Sequence, residues 1–581
     1  RYIRINAQAT QAESWVAWKE IEVWGSYGES SAASSNLALG KAVEASSSYE
    51  DATPDKVVDG DLTKGWNSGG EAPATITIDL GSVAHIEEIR LLVNQNPPSV
   101  TKHSLQLADT ANSFNTVHVF SGYTENGQWL IYPSDDSGPT TLPRGIEWVR
   151  NNPMFISGLT VSMGTPPQAS VDEYFDDFHA NAAHFWNKGL PSTLAGWQAA
   201  NHPNFRWFSW VTDDGTPVGN NEVIGGVEAN LPGRIGYQVG DEPGLTGENG
   251  MEELKEIEEG VNAVRAADPD GLIVVNFSYH ANEIDEMLDY FGSTMDADVY
   301  SYDRYSMSKG EHETLMLIRK AGLKWNKPYW RYMRSYHDVG SPSEDCPYGA
   351  GDPNSLHETD YRWSAFLGLL YGYTGHTWFV YQANCPHKVA SNFYPAQNSY
   401  GLTQTEHWAT AAQINKEMQN LGRAITQLTS TDVRYIPAET VIGEGFLIPD
   451  GLDKWIEGAG GDAYISDITI DGLNLAELAV GFFVDDSGEQ YVMLQNQRHK
   501  NGPYPIDNVK PLTAEIKFNF SNAPSNLDTT KLTMLQKEDG ELVDINLTST
   551  GANTARLDYD LGAGEPILFK YKTGNPFALG P

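Results

Sequence analysis

The sequence predicts a multidomain protein: a (β/α)8 TIM barrel flanked by an N-terminal and a C-terminal β-sandwich. Three observations predict it. The chain has 581 residues, too many for a single hydrophobic core. From residue 155 to 428, short apolar runs alternate with segments of helical period. On either side the pattern is of short alternating strands divided by turn residues.

The N-terminal block covers residues 1–154. "RYIRIN" and "KEIEVWG" alternate as two short strands, and "SYGESSAASS" follows as a linker. "ATITIDLG", "IEEIRLLV" and "HSLQLAD" then alternate between turns, the pattern of a sandwich. In the middle block the apolar runs are "GLTVSMG", "AHFWNKG", "FRWFSWV", "RIGYQVGDEP", "LIVVNFSY", "ADVYSYDRY", "KPYWRYMRSY" and "GHTWFVYQ", eight in all. Eight βα units make a closed barrel. "GMEELKEIEEGVNAVRAADPD" is its clearest helix, with acids early and Arg late. Residues 429–581 return to strands and turns in "EQYVMLQNQ", "LTAEIKFNF" and "EPILFKYK".

The chain carries 38 basic and 77 acidic residues, a net charge of −39. Such a field repels nucleic acid and anionic membrane surfaces. No run of about 18 apolar residues spans a membrane. The start at Arg1, without Met or an apolar leader, fits a secreted, extracellular or periplasmic chain whose signal peptide has been removed. Cys346 and Cys385 are the only cysteines, too few for a cysteine-built metal centre. By strand count they fall in the loops after strands seven and eight, on one rim, which predicts a disulfide. Two buried thiols are the alternative.

The stretch "NLALGKAVEASSSYEDATPDKVVDGDLTKGWNSGG", with "ATITIDLG" and "IEEIRLLV", resembles a discoidin-type fold, the family 32 kind of carbohydrate-binding module. The resemblance implies a structural calcium in the "VDGDLTKGW" loop, held by Asp59, Asp61 and Thr63 with Trp66 packed beneath; oxygen ligands on one loop suit a hard cation. An Asx-rich turn without metal is the alternative. Residues 1–25 look like the closing strands of such a module, although they precede its opening motif. A permuted domain that they complete is expected, rather than the remnant of a preceding module. Glu20 or Glu22 then supplies the last ligand.

"GYQVGDEPG", "DVYSYDRY" and "YGYTGHTWFVY" resemble the retaining TIM-barrel glycoside hydrolases. The resemblance implies an acid/base Glu at the end of strand four, where Glu242 stands. The group's usual nucleophile, a Glu ending strand seven, is missing from "KPYWRYMRSYHD". Glycosidic cleavage needs one protonated and one ionised carboxyl group, and barrels present them at strand C-termini. The adjacent Asp241 is expected to raise Glu242 by like-charge repulsion. Asp303, ending strand six, is the expected second carboxylate. In a competing scheme, similar to the hexosaminidases, Asp241 orients a substrate acetamido group and Glu242 protonates. Asp338 is an outside candidate. The bland alternatives are a solvated acid pair opening a helix and an ion pair of Asp303 with Arg304 or Arg331.

Aromatic residues crowd the same strand ends: Trp186, Trp207, Trp210, Tyr302, Tyr305, Trp330, Tyr332, Trp378 and Tyr381. Their faces suit sugar stacking, with Trp378 and Tyr381 the leading candidates, although barrel alternation turns about half of them outward. Arg304, Arg331, Arg334, His337 and Lys388 form a basic group that a sulfate or uronate on the substrate would explain; pairing with the abundant acids explains it equally. The reading is a secreted glycoside hydrolase of polysaccharides with a structural calcium and no catalytic cofactor. Its rivals are a non-catalytic carbohydrate-binding or adhesion protein on a degenerate barrel and, further off, a polysaccharide lyase.

Overall fold

The computed structural model describes the whole chain apart from residues 11–14, 28–34, 97–98, 111–113, 133–141, 161–165, 186–195, 211–231, 246–248, 280–282, 339–355, 383–388, 392, 394–403, 439–447, 472–476 and 503–508. The first block is two facing sheets. One orders its strands Ala42–Ala45, Ala74–Asp79, Tyr2–Thr10, Ser99–Ala108 and Asn115–Thr124. The other orders Trp129–Tyr132, His85–Val93, Ala17–Ser26 and Ser35–Asn36. Residues 1–26 thus give each sheet an interior strand. Ile3 and Ile5 pair with Ile78 and Ile76 on one side and with Leu107 and Leu105 on the other. The alternation of "RYIRIN" is the cause: Ile3, Ile5 and Ala7 enter a core with Trp18 and Trp66, while Arg1 and Arg4 bond Asp79 and Thr77 on the outer face. The N-terminal strands complete the sandwich.

The helix Arg144–Asn151 belongs with the barrel, so the boundary expected at residue 154 moves ahead of Arg144. Arg144 Nη1 donates to Asp298 at 2.8 Å, and the Trp148 ring lies 5.8 Å from Trp330 inside the barrel floor. The eight barrel strands are Phe155–Thr160, Ala182–Phe185, Trp207–Trp210, Arg234–Asp241, Leu272–Ser278, Val299–Asp303, Tyr329–Arg334 and Gly375–Gln382. They pair in this order and close, first against eighth. Their lowest inward side chains, among them Phe155, Phe208, Leu272 and Trp330, plug the floor, with Phe155 and Trp330 stacked at 4.3 Å. Outside, Leu254, Ile257, Val261 and Val264 of the helix Gly250–Ala267 are buried at helical spacing.

The third block packs a seven-stranded sheet on a four-stranded one around Val480, Leu494, Ile516 and Phe569. It docks on the barrel helix Glu358–Tyr371. Trp363 stacks on His499 at 4.2 Å and donates to Gln497 at 2.8 Å.

Candidate active site

Above the apolar floor, the next inward residues are polar, and they link across the barrel. Ser301 donates to Asn276 Oδ1 at 3.0 Å. Asn276 and Gln238 amides both donate to Asp241 Oδ1, at 2.9 and 3.2 Å. The Tyr332 hydroxyl donates to Gln238 Oε1. His184 stands 3.5 Å from that hydroxyl and 3.5 Å from Thr377 Oγ1, and Thr377 bonds Ser157 at 2.8 Å. All of these but Asp241 are buried. Burial lowers the His184 imidazole to about 3, so it is neutral. Every strand but the third contributes, and the layer fixes the carboxyl groups above it.

Those groups sit where strand four ends. Gly240 has φ +81°, and a Cβ there would lie 2.5 Å from Ile257 of the following helix, so only glycine fits. Glu242 itself has φ +44°, a left-handed conformation that a side chain adopts at a cost. Its N–H donates to the Asn276 carbonyl at 2.8 Å. This turn presents Asp241 and Glu242 together at the mouth. From strand six, the Asp303 carboxyl hydrogen-bonds the Glu242 carboxyl and accepts from Tyr305. Asp303 Oδ1 is buried and has no hydrogen-bond partner among the described residues. Burial first, then the Glu242 and Asp241 charges, holds Asp303 well above the ordinary carboxylate range. Burial and the Glu242 charge push Asp241 up to about 8, against the lowering effect of its Asn276 and Gln238 bonds. The repulsion expected from the adjacent pair therefore falls on both Asp241 and Asp303. The arrangement retains protons at neutral pH and can both donate and accept one.

Strand alternation divides the other candidates. Tyr305 lies in the mouth, stacked on Phe379 at 5.3 Å. Trp210 is buried on the inward side of strand three, in register with Gln238. Arg334 reaches back to the Tyr336 carbonyl at 3.2 Å. Five candidates turn away from the mouth and are corrected here. Tyr302 donates to the buried Glu311 at 2.9 Å. Arg331 pairs with the same carboxylate at 2.7 Å, with both side chains sequestered between strand and helix. Trp378 donates to Asn415 of an outer helix at 2.7 Å. Tyr381 packs edge-on against Tyr174 and Phe178, at 4.9 and 4.8 Å. Arg304 likewise bonds the Gly310 carbonyl at 2.7 Å and Thr314 at 2.8 Å, opening the next helix. Trp207 faces the helices and Trp330 the floor. Asp303 pairs with neither arginine. Trp186, Cys346, Cys385 and Lys388, and the side chains of His337 and Asp338, lie outside the described residues.

In the first block, Glu20 is 1% exposed. Its Oε1 accepts from Gly60 N at 3.3 Å, and its buried Oε2 has no partner among the described residues. Burial raises it to about 7, with Asp59, Glu22 and Asp61 adding repulsion. Asp61 Oδ1 accepts from Thr63 N and Oγ1 at 3.0 and 2.6 Å, and Lys64 holds its other oxygen at 2.9 Å. An orphaned buried carboxylate oxygen beside two further acids fits a hard cation. Sequence reasoning missed Trp15 and Tyr49, which meet at 4.6 Å on the surface, 44% and 41% exposed. Nothing in the sequence, where they stand far apart, marked them as a pair. Among the described residues, Asp172, Asp176 and His202 also have metal-ligand spacing. There His202 Nδ1 accepts from Asn204 N, which leaves the proton on the Nε2 that faces Asp176.

Residues 42–135 match the F5/8 type C domain family. Among solved structures, the chain is similar to a glycoside hydrolase family 5 protein from Bacteroides vulgatus ATCC 8482, at 12% identity over 74% of this chain and 92% of that one, with a TM-score of 0.41. It is also similar to a GH30 endoxylanase from Clostridium papyrosolvens C71, at 10% identity over 73% and 98% and a TM-score of 0.36. A third is an endo-β-1,4-mannanase from Thermotoga petrophila, at 10% identity over 59% and 94% and a TM-score of 0.32. No curated protein sequence matches the chain. The barrel itself rests on this chain's own strand pairing.

Proposed function

We propose that the protein is an extracellular glycoside hydrolase of a polysaccharide, with its chemistry at the C-terminal mouth of the barrel. One observation carries the reading: the hydrogen-bonded Glu242–Asp303 pair, which holds the one proton and the one charge that glycosidic cleavage needs. As substrate binds, the proton shared by the pair passes from Asp303 to Glu242, on strand four, which protonates the leaving oxygen. Asp303 attacks the anomeric carbon and forms a glycosyl ester. Glu242 then takes a proton from water, which displaces Asp303 and restores the pair. Contact between the two carboxyls leaves no room for a water between them, which favours retention. Of the basic group that suggested a sulfate or uronate, Arg304 and Arg331 are engaged elsewhere. The test is hydrolysis of a panel of polysaccharides with proton NMR of the first-formed anomer. Glu242→Gln and Asp303→Asn should each lose about 10²–10⁴-fold in rate. An inverted product, or an Asp303→Asn enzyme near full rate, would sink the assignment.

A second reading, an N-acetylhexosaminidase with Asp241 orienting the acetamido group, is favoured by the clamp on Asp241. Asn276 and Gln238 hold one oxygen, and the other makes no hydrogen bond among the described residues. That reading demands an N-acetyl sugar at the scissile carbon, so turnover of a glycan without one excludes it. In the first block, Trp15 and Tyr49 form a stacking platform for a sugar ring, which supports a carbohydrate-binding role. A calcium ion would be held by Glu20, Asp59, Asp61 and Thr63, where it would tie the loop to the sheet and take no part in the reaction.

A further inference from the structure

A cleft of about 900 Å³ separates the first sandwich from the last, at the upper end of the range for ligand sites. It lies away from the barrel mouth, and the outward face of the strand Ser99–Ala108 forms part of its wall. Two side chains on that strand are out of place. Lys102 is 4% exposed and makes no hydrogen bond or ion pair with any described residue. Ser104 is buried beside it, and its hydroxyl has no partner among the described residues. Buried polar groups are almost always hydrogen-bonded, so the orphaned Ser104 hydroxyl, with the unpaired Lys102 ammonium beside it at the cleft wall, points to a ligand.

The rest of the lining says which kind. The facing acids are already engaged: Asp462 accepts from Tyr464 N, Ile465 N and the Tyr571 hydroxyl, and Glu489 holds Thr573 and Asn575. Their charges, with that of Asp485, favour the Lys102 ammonium and repel an anion, but none of them hydrogen-bonds it. Arg434 is paired with Asp432 and Asp453. Around them stand side-chain amides, including Asn519, Asn522 and Asn526. Donors and acceptors so mixed match hydroxyl groups, each of which donates once and accepts twice. We infer that this interdomain cleft binds a neutral oligosaccharide, with a sugar oxygen accepting from Lys102 and Ser104 and the asparagine amides holding the chain above them. The site does not depend on the barrel being an enzyme.

The experiment uses the full chain carrying Glu242→Gln, so that no probe is consumed. The probes are β-1,4-linked hexasaccharides of glucose, mannose and xylose, with hexagalacturonate as the anionic comparator. Each is measured by calorimetry and by its protection of Lys102 from acetic anhydride, read by mass spectrometry. Burial lowers Lys102 to about 8, which keeps the amine reactive in mild alkali. At least one neutral hexasaccharide should shield Lys102, and Lys102→Met should weaken its binding by about tenfold or more, the scale of losing one charged hydrogen bond. Asn522→Ala, on the exposed rim, should weaken it less and leaves the fold intact. The labelling of unsubstituted Lys102 gives the answer even where Lys102→Met misfolds. Protection by hexagalacturonate alone, no protection by any neutral probe, or affinity untouched by both variants would overturn the inference.

Discussion

Asp303 and Glu242 share a hydrogen bond between their carboxyl groups across the barrel mouth, from strands six and four. Asp241 adds a third acid to the same few ångströms and is tied from below by Asn276 and Gln238. Three carboxyl groups so placed cannot all ionise near neutrality, and the barrel bears the cost in two visible ways: raised acids and a strained residue.

The raised acids make stability depend on pH. Asp241 titrates at about 8 in the fold and near 4 in the unfolded chain. Between those values the folded protein holds a proton that the unfolded chain has released. Stability is therefore full below about pH 4 and falls as pH rises through about 8, by up to about 1.4 kcal/mol per pH unit for one proton. Asp241→Asn keeps the acceptor for both amides but has no proton to lose. Urea midpoints at pH 5, 7 and 9 should fall less steeply for the variant than for the parent; equal slopes would refute the assignment.

The strained residue sets stability against activity. Glu242 holds φ +44°, a region costing a non-glycine residue roughly 1–2 kcal/mol. Glu242→Gly removes that strain and one of three repelling acids. It should raise the melting temperature of the barrel while turnover disappears. A lower melting temperature would mean that the carboxyl group stabilises the mouth more than its backbone costs.

The barrel was legible in the sequence because its period alternates between strand and helix eight times over. The place of residues 1–26 in the sandwich was legible because "RYIRIN" and "KEIEVWG" carry a strand's alternation ahead of the module's opening motif. The facing of side chains within barrel strands was not, since both sides of such a strand are buried and apolar. Asp303 and Tyr302 were both expected in the cleft, yet neighbouring residues of one strand point to opposite sides. An inward Asp303 already required Tyr302 and Arg304 to face the helices. Trp378 and Tyr381 failed for a related reason: the rings that receive them, Tyr361 for Trp378 and Tyr174 and Phe178 for Tyr381, lie on other elements of the chain, and nothing local to strand eight marks the outward side. Glu20 was legible only through the family resemblance.

Arg331 measures that distinction directly. Its guanidinium and the Glu311 carboxylate are 1% and 0% exposed, sequestered between strand and helix. Burial alone pushes Glu311 up, and Arg331 is the main group opposing it. Arg331→Met leaves a carboxyl that must take a proton or stay buried and charged. Loss of about 3–5 kcal/mol is expected, the usual cost of breaking one side of a buried pair. A double variant with Glu311→Gln should recover part of it. If Arg331 instead bound substrate, KM would rise in the single variant with the melting temperature unchanged.

The last prediction concerns the loop of the first sandwich. Glu20 titrates at about 7 because it is buried beside Asp59, Glu22 and Asp61, and its Oε2 has no protein partner among the described residues. Without a cation the fold keeps Glu20 protonated, so its contribution to stability is full below the unfolded value near 4 and is lost as pH rises through about 7. A calcium ion reverses this, because it needs the ionised carboxylate and must displace the proton at lower pH. Added calcium should therefore raise the melting temperature of this domain much more at pH 8 than at pH 5.5, and a chelator should undo the gain. Glu20→Gln removes the charge, so it should abolish the calcium response and make stability nearly flat with pH. Barrel turnover should change little in either case, since the loop lies in a separate core. A calcium response of equal size at both pH values, or one that survives Glu20→Gln, would show that the ion binds elsewhere.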